Sequence, residues 1–78
     1  MASKNIHGFN VEYDEESDTV KSYLEHLENS LSHEEMRALV HSAEYNPSGE
    51  VHLEDHYGNR VTLVYKGEGS CLIRKRQS

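Results

Sequence analysis

The chain has 78 residues, of which 35% are hydrophobic and 28% charged, and its formal charge is −6. This length suits one small domain, and the composition still allows a modest core. The single cysteine excludes an intramolecular disulfide and favours a cytoplasmic location, while no apolar run reaches the about 18 residues of a membrane span and none resembles a signal peptide.

The N-terminal part combines a short strand pattern with a helix pattern. Residues 1–5 are expected to be a flexible end, as are residues 77–78. Over residues 6–13, apolar and polar residues alternate, which is typical of a strand. From Asp18 to Asn29 the apolar residues recur on one helical face, and Ser17 or Asp18 can cap the helix. That face comprises Val20, Tyr23, Leu24 and Leu27.

A second helix has a clear start signal. The segment Ser32-His33-Glu34-Glu35 fits a capping box, in which Ser32 accepts from the Glu35 amide and the Glu35 side chain accepts from the Ser32 amide. Pro47 disfavours helical geometry at the residue before it, so the helix is expected to end near residue 45. Because only residues 29–31 separate the helices, we expect them to be neighbours. Its apolar stripe comprises Met36, Leu39, Val40 and Ala43.

From residue 50 the period of the pattern becomes two and predicts a meander of three strands, over residues 50–55, 59–65 and 70–76. Residues 55–59 suit a three-residue hairpin loop with Gly58 in the left-handed conformation, and residues 67–69 suit a second such loop. The resulting cross-strand pairs are Leu53 with Val61, Val51 with Leu63, Glu54 with Arg60, Leu63 with Ile73, Tyr65 with Cys71 and Val64 with Leu72.

This register assigns the side chains to two faces of the sheet. The inner face, which we expect to meet the helices, comprises Val51, Leu53, Val61, Leu63, Tyr65, Cys71 and Ile73. The outer face comprises His52, Glu54, Arg60, Thr62, Val64, Leu72, Arg74 and Arg76. A slip of one residue would exchange the faces. The sequence therefore predicts one α+β domain over residues 1–78: two layers, with a helical pair on one face of an antiparallel three-stranded meander. With residues 6–13 as a candidate fourth strand, the order is β-α-α-β-β-β.

The outer face is one candidate binding surface, because basic side chains flank a small apolar pair there. It fits an acidic protein or a second copy of the chain in a homodimer. Alternatively, the N-terminal strand or the acidic segment covers it, or residues 74–76 form a solvated tail. A nucleic-acid-binding module using Arg74, Lys75 and Arg76 is a further alternative, although such sites usually add stacking aromatics. The candidate residues are Arg60, Thr62, Val64, Leu72, Arg74 and Arg76.

The acidic part of the chain is the second candidate. Residues 1–55 hold thirteen acids and three bases, a formal charge of −10, whereas residues 56–78 hold one acid and five bases, a formal charge of +4. Residues 12–35 alone hold nine acids and one base. Such a segment fits a basic partner or imitates the phosphates of DNA, unless it is simply a solvated helix face. The candidate binding residues are Glu12, Glu25 and Glu28.

No motif in the sequence indicates catalysis or metal binding. The His52 and His56 pair spans a strand end and a turn, and no Cys-x-x-Cys or His-Glu-x-x-His motif is present. The register places Cys71 in the core as a small hydrophobe. We therefore expect a non-enzymatic interaction or regulatory protein without a cofactor or a membrane partner, and a small enzyme or metal protein is a further alternative.

Overall fold

A computed structural model describes residues 2–67 and 69–76. In this part of the chain the elements are β1 (Ala2–Ile6), β2 (Phe9–Tyr13), α1 (Asp18–Ser30), α2 (His33–Tyr45), β3 (Glu50–Glu54), β4 (Arg60–Gly67) and β5 (Ser70–Lys75). The strands form one sheet in the order β1-β2-β5-β4-β3. Helix α1 contacts β4 and β5, and α2 contacts β3 and β4. The fold is α+β, as predicted.

The predicted register of the meander is confirmed. Strands β3 and β4 pair antiparallel with Leu53 opposite Val61, and β4 pairs antiparallel with β5 so that Leu63 lies opposite Ile73. The pairing becomes irregular beyond Tyr65. Residue 68 of the predicted second loop, like residues 1, 77 and 78, lies outside the described residues. The two faces of the meander are therefore those assigned from the sequence.

The loop between β3 and β4 has the predicted geometry. Gly58 has a φ of 81°, and the Asp55 amide donates to the Asn59 carbonyl at 3.2 Å. The Asp55 carboxylate organises the loop: its Oδ1 accepts from the amides of Tyr57 and Asn59, both at 2.9 Å. Its Oδ2 accepts from Asn59 Nδ2 at 2.7 Å. One side chain thus satisfies three donors of a tight turn.

An N-terminal hairpin is the main departure from the sequence prediction. Residues 2–5, expected in a loose end, belong to β1, and a turn at His7-Gly8 joins it to β2. Both turn residues have positive φ, 52° and 91°, for which Asn-Gly is the usual pair. Contacts with the helical layer support this conformation of His7. Its Nε2 donates to the Leu27 carbonyl at 2.8 Å, and His33 Nδ1 donates to the His7 carbonyl at 2.7 Å.

Strand β2 enlarges the sheet and makes it mixed. It pairs in parallel with β5, with Val11 beside Cys71 and Tyr13 beside Ile73. The sequence predicted antiparallel pairs but not this parallel pair. It was missed because both helices, β3 and β4 separate β2 from β5 in the sequence. Because β2 lies beside β5 within the sheet, the N-terminal strand does not cover the outer face, and that alternative is excluded.

Both helices begin as the sequence predicts. Ser17 Oγ accepts from the Val20 amide at 3.3 Å at the start of α1. At α2, Ser32 Oγ accepts from the Glu35 amide at 3.2 Å and Glu35 Oε1 accepts from the Ser32 amide at 3.1 Å, which completes the capping box. The predicted stripes are buried against the sheet, with Leu39 only partly covered. The buried hydrophobic residues are Ile6, Val11, Val20, Tyr23, Leu24, Leu27, Met36, Val40, Ala43, Val61, Leu63, Cys71 and Ile73.

Candidate functional site

The outer sheet face carries paired charges. Val64 and Leu72 lie opposite each other, as predicted, and both are half-buried. From β5, Arg74 extends past β4 to Glu50 on β3, with Nη2 3.0 Å from Oε2. Arg60 pairs with Glu54, with Nε 3.0 Å from Oε1. Exposed pairs of this kind contribute about 0–1 kcal/mol to stability, but they place an acid beside each of these two arginines.

The outer face is therefore mixed in charge rather than basic. Glu12 on β2 stands beside Leu72, which adds a third acid to Glu50 and Glu54. Arg76, by contrast, has no ion pair within residues 2–67 and 69–76. Thr62, expected to be on an open face, is only 3% exposed. The sequence predicted the Glu54–Arg60 pair from the register but missed Glu50–Arg74, because these two residues lie on strands that are not adjacent.

The three acidic candidates do not form one surface. Glu12 lies on the outer sheet face, whereas Glu25 and Glu28 lie on α1 in the other layer. Glu28 forms an ion pair with Lys4 of β1. The hydrogen bond from Lys4 to Glu28 raises the pKa of Lys4 above its ordinary value. Glu25 is therefore the one of these three residues that lies exposed on a helix and forms no ion pair with a described residue.

The fold nevertheless separates charge between its two layers. Residues 14–45, which we call the acidic helical layer, contain the link before α1 and both helices, with nine acids and two bases for a formal charge of −7. The remaining residues hold five acids and six bases, a formal charge of +1. Within the acidic helical layer, six acids have no ion pair among the residues that the structure describes. They are Asp14, Glu15, Glu16, Glu25, Glu34 and Glu35.

A concavity of about 440 Å³ lies beside this layer, between α1 and the β3–β4 loop. Tyr57 at the tip of the loop is 88% exposed, and Glu25 and His26 line the opposite side. The sequence predicted an exposed Tyr57 but not that the loop stands next to α1. The lining residues are Ser22, Glu25, His26, Asn29, Ser30, Asp55, Tyr57 and Asn59.

Asp55, which lines this concavity, and Tyr23, a buried residue of α1, have shifted pKa values. Burial raises the pKa of Asp55, but hydrogen bonds from Asn59 and Tyr57 outweigh it, and the nearby His26 adds to them, so the net pKa lies below its ordinary value. Burial, with a smaller effect of Asp55, raises the pKa of Tyr23 to about 12. Negative charge on Asp55 is therefore favoured here, while the Tyr23 hydroxyl stays protonated.

Cys71 lies in the core, as the register predicts. Its side chain is fully buried. Burial, with a smaller effect of Glu12, raises the pKa of the thiol to about 11. A protonated, inaccessible thiol is a poor nucleophile. The residue contributes to packing between the sheet and the helices.

Neither a metal site nor a membrane-spanning helix is present within residues 2–67 and 69–76. There, no group of three or more His, Cys, Asp or Glu side chains is placed so that it can hold a metal ion. None of the helices described is long and apolar enough to cross a membrane. The candidate binding surfaces are the acidic helical layer with its concavity and the outer sheet face.

Comparison with known proteins identifies no relative: no protein-family model, no curated protein and no solved structure matches the chain.

Proposed function

We propose that this chain is a non-enzymatic interaction protein whose acidic helical layer binds a basic partner protein. One observation supports the choice of surface: six of nine acids in this layer lack an ion pair in the described structure, whereas Arg60 and Arg74 on the outer sheet face are each paired with a glutamate. A complementary basic surface gains attraction without first breaking internal pairs. A cytoplasmic location fits the proposal because the one cysteine is a buried free thiol.

The concavity beside α1 is the centre of the proposed contact. Glu25 supplies an exposed carboxylate, and Tyr57 supplies an exposed ring on the other side. A lysine or arginine inserted between them meets both a negative charge and an aromatic face, and each attracts a cation. Tyrosines at the centre of an interface often contribute much of its binding energy. The partner would thus present a basic side chain to this concavity.

Matched variants test the proposal. The test variant combines Glu25→Lys with Tyr57→Ala. The control is Glu12→Lys, which makes the same charge reversal at a residue of the outer sheet face. Each is used as bait in a native pull-down from the source cell, with partners identified by mass.

We expect the control to recover the same basic partner as the wild type and the test variant to lose it. The reverse result would assign binding to the outer face, with an acidic protein or a second copy of the chain as partner. If the two variants recover the same proteins as the wild type, the proposed contact is wrong. Retention of the fold is checked for both by denaturant unfolding.

A further inference from the structure

One concavity on the outer sheet face is separate from the proposed protein contact. It has a volume of about 250 Å³ and lies on the opposite side of the sheet from the helices. Three strands contribute to it: β3 with His52, β4 with Thr62, and β5 with Arg74. The residues that line it are Glu50, His52, Thr62, Arg74, Lys75 and Arg76.

Thr62 is the deepest polar residue of this concavity. The side chain lies between its cross-strand neighbours His52 and Arg74, and only 3% of the residue is exposed. Thr62 Oγ1 is hydrogen-bonded to His52 Nδ1 at 3.0 Å. A hydroxyl group has one donor and two acceptor positions, so this bond leaves hydrogen-bonding capacity at Thr62. The His52 ring also retains its Nε2.

The lining has a positive balance although the chain as a whole is acidic. Of the residues on this face it contains the cationic side chains of Arg74 and Arg76 and the carboxylate of Glu50, a formal charge of +1 with His52 neutral, whereas Lys75 lies opposite Val61 on the inner-face register. Arg74 uses Nη2 for Glu50, and a guanidinium has further N–H donors. Arg76 forms no ion pair with any residue that the structure describes. The ion pairs of this face compensate Arg60 and Arg74, so the positive charge that remains uncompensated lies at this concavity.

We propose that this concavity binds a single phosphate group, either inorganic phosphate or the terminal phosphate of a small monoester. Arginine donates charge-assisted hydrogen bonds to phosphate oxygens, and Thr62 adds a neutral polar contact. The volume falls at or below the small end of ligand pockets, which suits one such group. A continuous nucleic-acid backbone would also pass the carboxylates of Glu50 and Glu54, which repel it.

The test is a titration of the whole protein with inorganic phosphate, followed by amide chemical shifts in NMR at constant ionic strength set by chloride. Arg76→Gln removes one lining cation outside the core. Its backbone bond to the Arg60 carbonyl does not involve the changed side chain. Lys66→Gln is the matched control, because it removes one exposed cation of β4 that does not line the concavity. Thr62→Val tests whether the Thr62 hydroxyl group contributes to phosphate binding.

We expect saturable shifts around Thr62 and Arg74 with a Kd of about 1 mM or tighter. Arg76→Gln should weaken binding about tenfold, the value of one charge-assisted hydrogen bond, and Lys66→Gln should leave it nearly unchanged. Equal weakening by both variants would show general charge attraction and overturn the site. So would an absence of saturation, or displacement of phosphate by a short oligonucleotide that lacks a terminal phosphate. None of these results depends on the proposed protein partner.

Discussion

His33 Nδ1 lies 2.7 Å from the carbonyl oxygen of His7, and the His7 ring donates in turn to the last turn of α1 through the Leu27 carbonyl. Two histidines distant in sequence thus attach the β1–β2 turn to the helical layer. The His33 ring also stacks on Phe9, with centroids 6.0 Å apart. The turn needs these contacts because it places a non-glycine residue at positive φ.

A double-mutant cycle tests whether these contacts act together. We expect His7→Asn and His33→Ala each to lower the free energy of unfolding by about 0.5–1.5 kcal/mol, the net value of one hydrogen bond. Asparagine tolerates positive φ, so the first variant tests the ring rather than the backbone. The two effects should be non-additive by about 0.5 kcal/mol or more. Glu34→Ala, on the same turn of α2, is the control and should add independently to His7→Asn.

Substitutions on the two faces of β4 should have very different effects. Leu63 is fully buried on the inner face, so Leu63→Ala removes buried methyl groups and leaves a cavity that costs about 2–5 kcal/mol. Val64 is half-buried on the outer face, and Val64→Ala should cost about 1 kcal/mol or less. Denaturant unfolding of both variants measures this. A larger loss for Val64→Ala would mean that the register is shifted by one residue.

The Asp55 carboxylate predicts an acid-dependent loss of stability. Its folded pKa lies below the ordinary value of 3.8, so its contribution is fully present above that value and is lost as the pH falls through the folded pKa. Asp55→Asn lacks this titration. We expect the variant to be less stable at neutral pH and the difference from the wild type to shrink below about pH 4. A difference that stays constant from pH 7 to acid would contradict this role of the charge.

The buried thiol makes a prediction about reactivity. Because burial raises the pKa of Cys71 to about 11 from 9.0, the native protein should react with a maleimide far more slowly at pH 8 than the unfolded chain does. Stability should also fall as the pH rises above 9.0, where only the unfolded thiol ionises. The chain has one cysteine, so mass spectrometry reports this site alone. Equal labelling rates in native and denatured protein would place Cys71 outside the core.

Local patterns predicted the helices and the meander because each depends on residues near one another in sequence. Ser32 and Glu35 form their capping box within one turn, and Gly58 allows a three-residue loop that fixes Leu53 opposite Val61. Strand β1 was missed because, of its five residues, only Ile6 is buried. Its position depends on pairing with β2 and on contacts with the helices. A local sequence pattern does not indicate such contacts.

The candidate surfaces were predictable only in part, for the same reason. The outer-face residues were assigned correctly, but the charge of that face was misjudged because Glu50 and Arg74 are 24 residues apart. The acidic segment was recognised as a run along the chain, yet Glu12 belongs to the sheet and Glu25 to α1. Only the fold shows that Tyr57 stands beside Glu25 across a concavity.

A chemical-shift titration would test the central proposal most directly. The isotope-labelled protein is titrated with the basic partner recovered in the pull-down, and the amide signals are followed by NMR. We predict that the largest changes occur at Glu25 and its neighbours on α1 and at Tyr57 in the β3–β4 loop, and that high salt weakens them because exposed charges carry the contact. Changes confined to Arg60, Leu72 and Arg74 on the outer sheet face would contradict the proposal and assign the interaction to that face.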